Sequence, residues 1–267
     1  MKPINNFILV LKMNTRQAWF HRGSANAQIL SWAIRMGMTI VLYYFVYKTY
    51  NIGSVNGITF QIATSSMILY ALFVGTGYRN LFSIINRDVK SGAIEVWVNK
   101  PVSYIHVKVA ETFGKNLPVF FGLLVAGFVF WFVSGQLPVV ENMPLRLLAA
   151  VPIAILGLVI ATLLYVIIGL SAVWLTEAKP IYTIVDKFIM IFGGAYIPIG
   201  FFPPALRLVG ELFPTGAAIY ITQLFYTNFL DNFPRFIAVQ IFWLVVLSTG
   251  VYFMSKSVNQ NLTINGG

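Results

Sequence analysis

Residues 58–104 read ITFQIATSSMILYALFVGTGYRNLFSIINRDVKSGAIEVWVNKPVSY. From Ile58 to Tyr78 there is no charged side chain, over a run close to the ~20 residues a helix needs to cross a bilayer. Arg79, Arg87, Asp88, Lys90, Glu95 and Lys100 then follow within a few turns, although only 10% of the whole chain is charged. A long uncharged run ending abruptly in a charge-dense joint reads as a membrane-spanning helix emerging into water.

The same alternation recurs outward in both directions. The chain has 267 residues, 58% hydrophobic and 16% aromatic, where a soluble domain is about half apolar and about a quarter charged. The pattern predicts an all-α, polytopic membrane protein built as one transmembrane bundle over 1–267. Crossings are expected at about 30–50, 58–78, 117–133, 147–176, 181–202 and 236–254. The fourth exceeds the length of a perpendicular helix, which predicts tilt. The fifth has Asp186 and Lys187 near its start, read as an interfacial pair rather than a proton relay. Residues 203–228, with Pro203, Pro204 and Pro214 just after Pro198, are too short in each apolar piece to cross; they read as a hairpin re-entering between crossings five and six.

At the N-terminus, Lys12, Arg16 and Arg22 interrupt the apolar residues, and there is no small-residue cleavage site. Ile4, Phe7, Ile8 and Leu11 follow helical spacing, so 1–24 is expected to lie along the membrane surface as an amphipathic helix. The net charge is +10, which in a membrane protein reflects positive-inside bias rather than nucleic-acid binding. Thirteen of the 18 basic residues, from Lys2 to Lys256, fall in the termini and in the segments on the same side as them; Arg146, Arg207 and Arg235 fall opposite. Both termini are therefore expected in the cytoplasm.

Several chemistries lack their residues. There is no GxxxxGK[ST] for binding ATP. There is no cysteine, and His21 and His106 belong to no metal-ligand set, so no metal site is expected. GxSxG is absent, and the sequon at Asn261 falls on an expected cytoplasmic tail. No internal repeat suggests an inverted-repeat carrier. Ion-coupled carriers usually keep acids or histidines deep in their spans; here four of the expected crossings have none. Such a chain is either passive or driven by something docking from outside the bilayer.

That possibility focuses attention on 79–116. Leu81, Ile85, Val89 and Ala93 recur at helical spacing and leave Asn86, Arg87, Lys90 and Ser91 on the opposite face. Gly92 weakens or ends that helix, and Pro101 is suited to begin another. The second segment holds Lys108, Glu111 and Lys115, the last two in the favourable i,i+4 order. Two short helices in an L are expected, serving either as a solvated linker or as a docking surface; the physical reading leaves these evenly balanced.

This stretch resembles the corresponding loop of ABC-2-type permeases, the membrane subunits of ATP-driven exporters. The residues carrying the resemblance are Arg87, Lys90-Ser91-Gly92, Glu95 and Lys100-Pro101-Val102, with Asp88 inside the same motif. Ser171-Ala172-Val173-Trp174 and GAYIPIGFFPPALRLVGELFPTGAAIY (194–220) are similar to later landmarks of that family. In span count and landmark order the likeness covers essentially the whole chain; Val96-Trp97-Val98-Asn99 departs from its more aliphatic pattern. The resemblance implies a permease that is not itself an enzyme and holds no cofactor. ATP and magnesium would belong to a dimeric ABC ATPase subunit, and a second permease, identical or paralogous, would complete the path in a prokaryotic inner membrane. Arg87–Glu95 would form the coupling helix, Glu177 and Lys179 a second contact, and Pro198, Pro203, Pro204 and Pro214 would shape the outer hairpin. Tyr43, Tyr44 and Tyr70 are candidates for the substrate path, although spanning tyrosines more often serve packing or the lipid interface. The competing classes are a membrane-embedded enzyme acting on lipid and a passive channel or scaffold.

Overall fold

A computed structural model describes residues 3–20, 22–97, 100, 102–135 and 137–265. His21, Val98, Asn99 and Pro101 lie outside the described residues. Among those described, the chain forms ten α-helices and no β-strand. They are α1 (Pro3–Phe20), α2 (Arg22–Thr49), α3 (Phe60–Gly75), α4 (Asn80–Lys90), α5 (Tyr104–Ser134), α6 (Met143–Leu170), α7 (Lys179–Phe192), α8 (Pro204–Leu212), α9 (Pro214–Ala217) and α10 (Phe233–Asn265).

Among the described residues, five stretches are long and apolar enough to cross a membrane: Ala25–Thr49, Phe60–Lys90, Tyr104–Ser134, Met143–Val173 and Phe233–Val258. The second is α3 and α4 in series. Between them the Thr76 N–H donates to the Phe73 carbonyl and the Gly77 N–H to that of Val74, and Gly77 adopts the left-handed conformation (φ +83°). A side chain at Gly77 would also collide with the Asn116 carboxamide, so this turn admits only glycine.

The segment 181–202 is not one continuous helix. α7 has 14 residues, ~21 Å at 1.5 Å per residue against ~30 Å of hydrocarbon. The chain then passes through turns at 193–203, including Gly194 at φ +79° and a single 3₁₀ turn at Ile199–Phe201. The prolines place these breaks. Pro198 precedes the 3₁₀ turn, and Pro204 and Pro214 stand in the first turns of α8 and α9, where a missing N–H costs no helical hydrogen bond.

The two short helices expected at 79–116 are also revised. α4 is one, ending at Ser91 with Gly92 at φ +73°. The second is the beginning of α5, which runs unbroken from Tyr104 through the expected third crossing to Ser134, with Pro118 inside it. Helix propagation is favourable once nucleated, and nothing between Lys115 and Leu117 interrupts it.

The buried residues fall into two main clusters. One joins α3, α4, α6 and α7 around Tyr78, Leu81, Ile85, Tyr165 and Ile189. The other joins α2, α3, α6 and the 213–229 region around Tyr43, Ala63, Ile153, Tyr220 and Phe229. α6 and α10 pack side by side, and α1 lies along α5. The α1–α5 approach is close enough that a Cβ at Gly114 would stand 2.6 Å from the Leu11 carbonyl oxygen. Apolar side chains on the outer faces of α2, α5, α6 and α10, among them Leu30, Ile34, Phe128, Phe132, Leu148 and Val245, remain exposed. This is the expected surface of a bundle whose solvent is lipid.

Candidate docking surface and the ion pair beneath it

The strong amphipathicity of α4 sets its orientation. Leu81, Phe82 and Ile85 are buried, and Ile85 enters a notch in α6 that exists because residue 169 is glycine; a Cβ there would lie 2.8 Å from the Ile85 Cβ. Arg87, Lys90, Ser91, Glu95 and Lys100 remain exposed, with Gly92 half-buried between them. The Arg87 side chain retains 72% of its accessible surface.

Asp88, named within the same charged motif, is buried. Lys108 Nζ lies 2.8 Å from its carboxylate, and the Tyr104 hydroxyl donates to it at 3.1 Å. Both partners come from the first turns of α5, so Asp88 closes the loop back onto the bundle. Trp97 completes that closure: it meets Tyr104 edge-on at 5.7 Å and carries Lys100 over its face at 4.1 Å. Residues 80–97 are therefore a folded helix and turn.

The α6–α7 connection adjoins this surface. Lys90 Nζ donates to the Thr176 carbonyl at 3.0 Å, and Phe82 stacks on Tyr182 at 4.4 Å. Glu177 and Lys179 are exposed beside them. Residues far apart in the chain, Lys90 and Thr176, thus meet, with exposed charged side chains on both of their segments.

Directly beneath it lies a buried ion pair that sequence reasoning assigned differently. Arg79 Nε stands 2.9 Å from Asp186 Oδ1. The Tyr165 hydroxyl donates to the same carboxylate oxygen at 2.6 Å, and Arg79 Nη2 donates to the Tyr70 hydroxyl at 2.8 Å. The expected Asp186–Lys187 interfacial pair is not formed: Lys187 Nζ faces the Met190 sulfur. Consecutive residues of a helix diverge by about 100°, so Asp186 turns inward while Lys187 is exposed. The pair ties the α3–α4 turn to α6 and α7. A buried ionisable pair costs desolvation unless it is fully bonded, and here two tyrosine hydroxyls supply the additional bonds.

At the opposite end of the bundle, residues 203–232 are held by polar anchors. Arg146 was expected in a loop, but it lies in the first turn of α6 and is 4% exposed. Its guanidinium donates to the carbonyls of Glu141 (2.8 Å), Leu224 (3.0 Å), Tyr226 (2.6 Å) and Thr227 (3.0 Å). Glu211, also buried, receives Arg207 at 2.9 Å and Arg235 at 3.0 Å. The buried Gln240 of α10 donates to the carbonyls of Ile153 and Ala217. All three cations assigned to the outer loops therefore fix this segment in place. The sequence signal available was the isolation of Arg146 at the start of a long apolar run.

The three candidate path tyrosines separate. Tyr43 is buried and donates to the Tyr196 carbonyl, and Tyr70 is buried beside Arg79. Tyr44 is exposed, with Lys48 donating to its hydroxyl at 3.1 Å.

A bundle of long apolar helices with a charged, folded loop at one end and an internally anchored segment at the other defines a multi-pass membrane protein of the transport type. The family model described as ABC-2 family transporter protein matches residues 33–266, nearly the whole chain. The chain belongs to that family and is a membrane transport permease. No curated protein matches it significantly.

Proposed function

We propose that the chain is the membrane subunit of an ATP-driven exporter, forming half of a path through which an amphiphilic substrate moves outward. It works with a second permease, identical or paralogous, and with a dimeric ABC ATPase that binds ATP and magnesium, in the cytoplasmic membrane of a prokaryote. In this reading both termini are cytoplasmic, because the basic residues concentrate on that side. α7 and the turns after it make a sixth, broken pass, and 203–228 closes the outer end. Irregular backbone at that depth is tolerated where protein buries it, and the anchors from Arg146, Glu211 and Gln240 support that.

The observation that carries the proposal is the joint surface of α4 and the α6–α7 connection. Arg87, Lys90, Glu95, Lys100, Glu177 and Lys179 stand together on a folded platform whose rear face is packed into the bundle. ATP-driven movement of a partner docked there would press on α4 and, through Arg79 and Asp186, on α7.

Purification of the natively expressed protein tests the proposal: a nucleotide-binding subunit is expected to co-purify. Recovery of the chain alone, fully active in transport, would sink it. A narrower test replaces Arg87 and Glu95 together by alanine. Both are exposed, so thermal stability should stay within about 0.5 kcal/mol of wild type. Affinity for the ATPase should fall about tenfold, equivalent to about 1.4 kcal/mol, with a matching loss of substrate-stimulated ATP hydrolysis. Undiminished stimulation would place the docking surface elsewhere.

A further inference from the structure

Between α1, α2, α4 and α5, at the end of the bundle that carries the charged surface, lies a cavity of about 330 Å³. The lining comes from all four: Gln17 and Ala18; Ala25 and Gln28; Asn80 and Ile84; Thr112, Lys115, Asn116 and Val119. In α2, α4 and α5 the spacings of three, four and seven mark helix faces turned toward a neighbour, where packing ordinarily calls for apolar side chains. Here every helix presents a carboxamide, a hydroxyl or an ammonium group instead.

Close backbone approaches hold the walls apart from one another. α1 meets α5 at Gly114, α2 meets α5 at Gly122 where Ile29 packs in, and Asn116 is seated over Gly77. The cavity is what remains between these fixed contacts, so it is preformed. One group inside it lacks a partner: Thr112 is 1% exposed, and its hydroxyl makes no hydrogen bond. A buried hydroxyl left unpaired is destabilising. Lys115 stands at the mouth, half-exposed, with Glu111 beside it at 2.5 Å on the helix surface. Asn80 Nδ2 reaches Asn116 Oδ1 only at 3.5 Å, a contact weak enough to yield to a better acceptor.

We propose that this cavity binds the phosphodiester headgroup of a phospholipid. Lys115 meets the phosphate, and the carboxamides of Gln28 and Asn80 donate to its oxygens. The orientation proposed above puts the mouth at the headgroup level of the cytoplasmic leaflet. The exposed Lys12 and Arg16 on α1 add positive charge to that surface, which draws it toward an anionic leaflet. Gln17 and Gln28 precede residue 33, where the family match begins, so half of the carboxamide lining lies outside the matched region.

The test uses the full chain in detergent, without any ATPase, so its outcome is independent of the transport proposal. Native mass spectrometry should detect one phosphatidylglycerol held per chain. Lys115→Gln should weaken it about tenfold, and Ala18→Phe, which fills the cavity, should abolish it. Lys115 is on the surface, so its replacement decides the matter even if Ala18→Phe disturbs folding. Dioleoylglycerol, which lacks the phosphate, should not compete, and inorganic phosphate should displace the lipid only weakly. Retention of lipid by Lys115→Gln within twofold of wild type would overturn the proposal. So would equal binding of dioleoylglycerol, full displacement by inorganic phosphate, or a cavity that holds water alone.

Discussion

Replacing Asp186 by alanine is expected to destabilise the protein by about 3–5 kcal/mol, the usual consequence of leaving a buried charge without its partner. The charge left behind is Arg79, which would keep only its bond to the Tyr70 hydroxyl of the main buried cluster. Arg79→Met alone should cost a similar amount, since Asp186 would then keep only the Tyr165 hydroxyl. The informative variant is the double replacement, Arg79→Met with Asp186→Leu. If the pair acts as one unit, the double variant should recover most of the stability, because two apolar side chains need no desolvation. Thermal unfolding in detergent gives all three values. Additive losses would show that the two residues act independently. A second readout separates stability from function. The double variant should fold yet couple poorly to a docked ATPase, because the link between the α3–α4 turn and α7 would slide instead of holding.

Arg146→Met is expected to cost about 3 kcal/mol or more and to loosen residues 224–232 selectively. The guanidinium satisfies the carbonyls of Leu224, Tyr226 and Thr227 as well as that of Glu141. Hydrogen bonds to a charged donor contribute about 1.5–3 kcal/mol each, and buried acceptors left unpaired carry their own penalty. Among the described residues no carboxylate stands within ion-pair distance of Arg146, so the cation is balanced by carbonyl dipoles. Arg146→Lys should rescue only part of the loss, because one ammonium cannot reproduce a planar fork that serves four acceptors. Hydrogen–deuterium exchange should quicken across 224–232 while α4, at the far end of α6, stays protected. Unchanged exchange at 224–232 would mean that the buried packing of Leu224, Phe225 and Phe229 holds the segment without it.

These two residues also mark where sequence reading stops. Arg146 reads as an outer-loop cation and Asp186 as half of a surface pair, because linear charge patterns report distance from an apolar run and say nothing about facing. The fold turns both inward. For Asp186 the reason is helical phase: its neighbour Lys187 takes the exposed side, and the nearest buried cation arrives from the end of α3. For Arg146 the reason is the carbonyl-rich backbone of 224–227, which returns to α6 from far along the chain. Asp88 belongs with them: its position in a charged motif suggests exposure, while Lys108 and Tyr104 draw it inside.

The sequence by itself determined that this is an all-helical membrane protein, where α4 ends and which family the chain resembles. Run length, local charge density and the conformational freedom of Gly77 and Gly92 act over a few residues and need no partner. Only the tertiary structure decided that Lys90 meets Thr176, that Asp186 pairs with Arg79, that α5 is one unbroken helix, and that four helix faces leave a polar cavity around Thr112. Each of these depends on which distant backbone comes close. That is set by glycine notches at 114, 157, 169 and 216, whose effect appears only when the opposing surface is present.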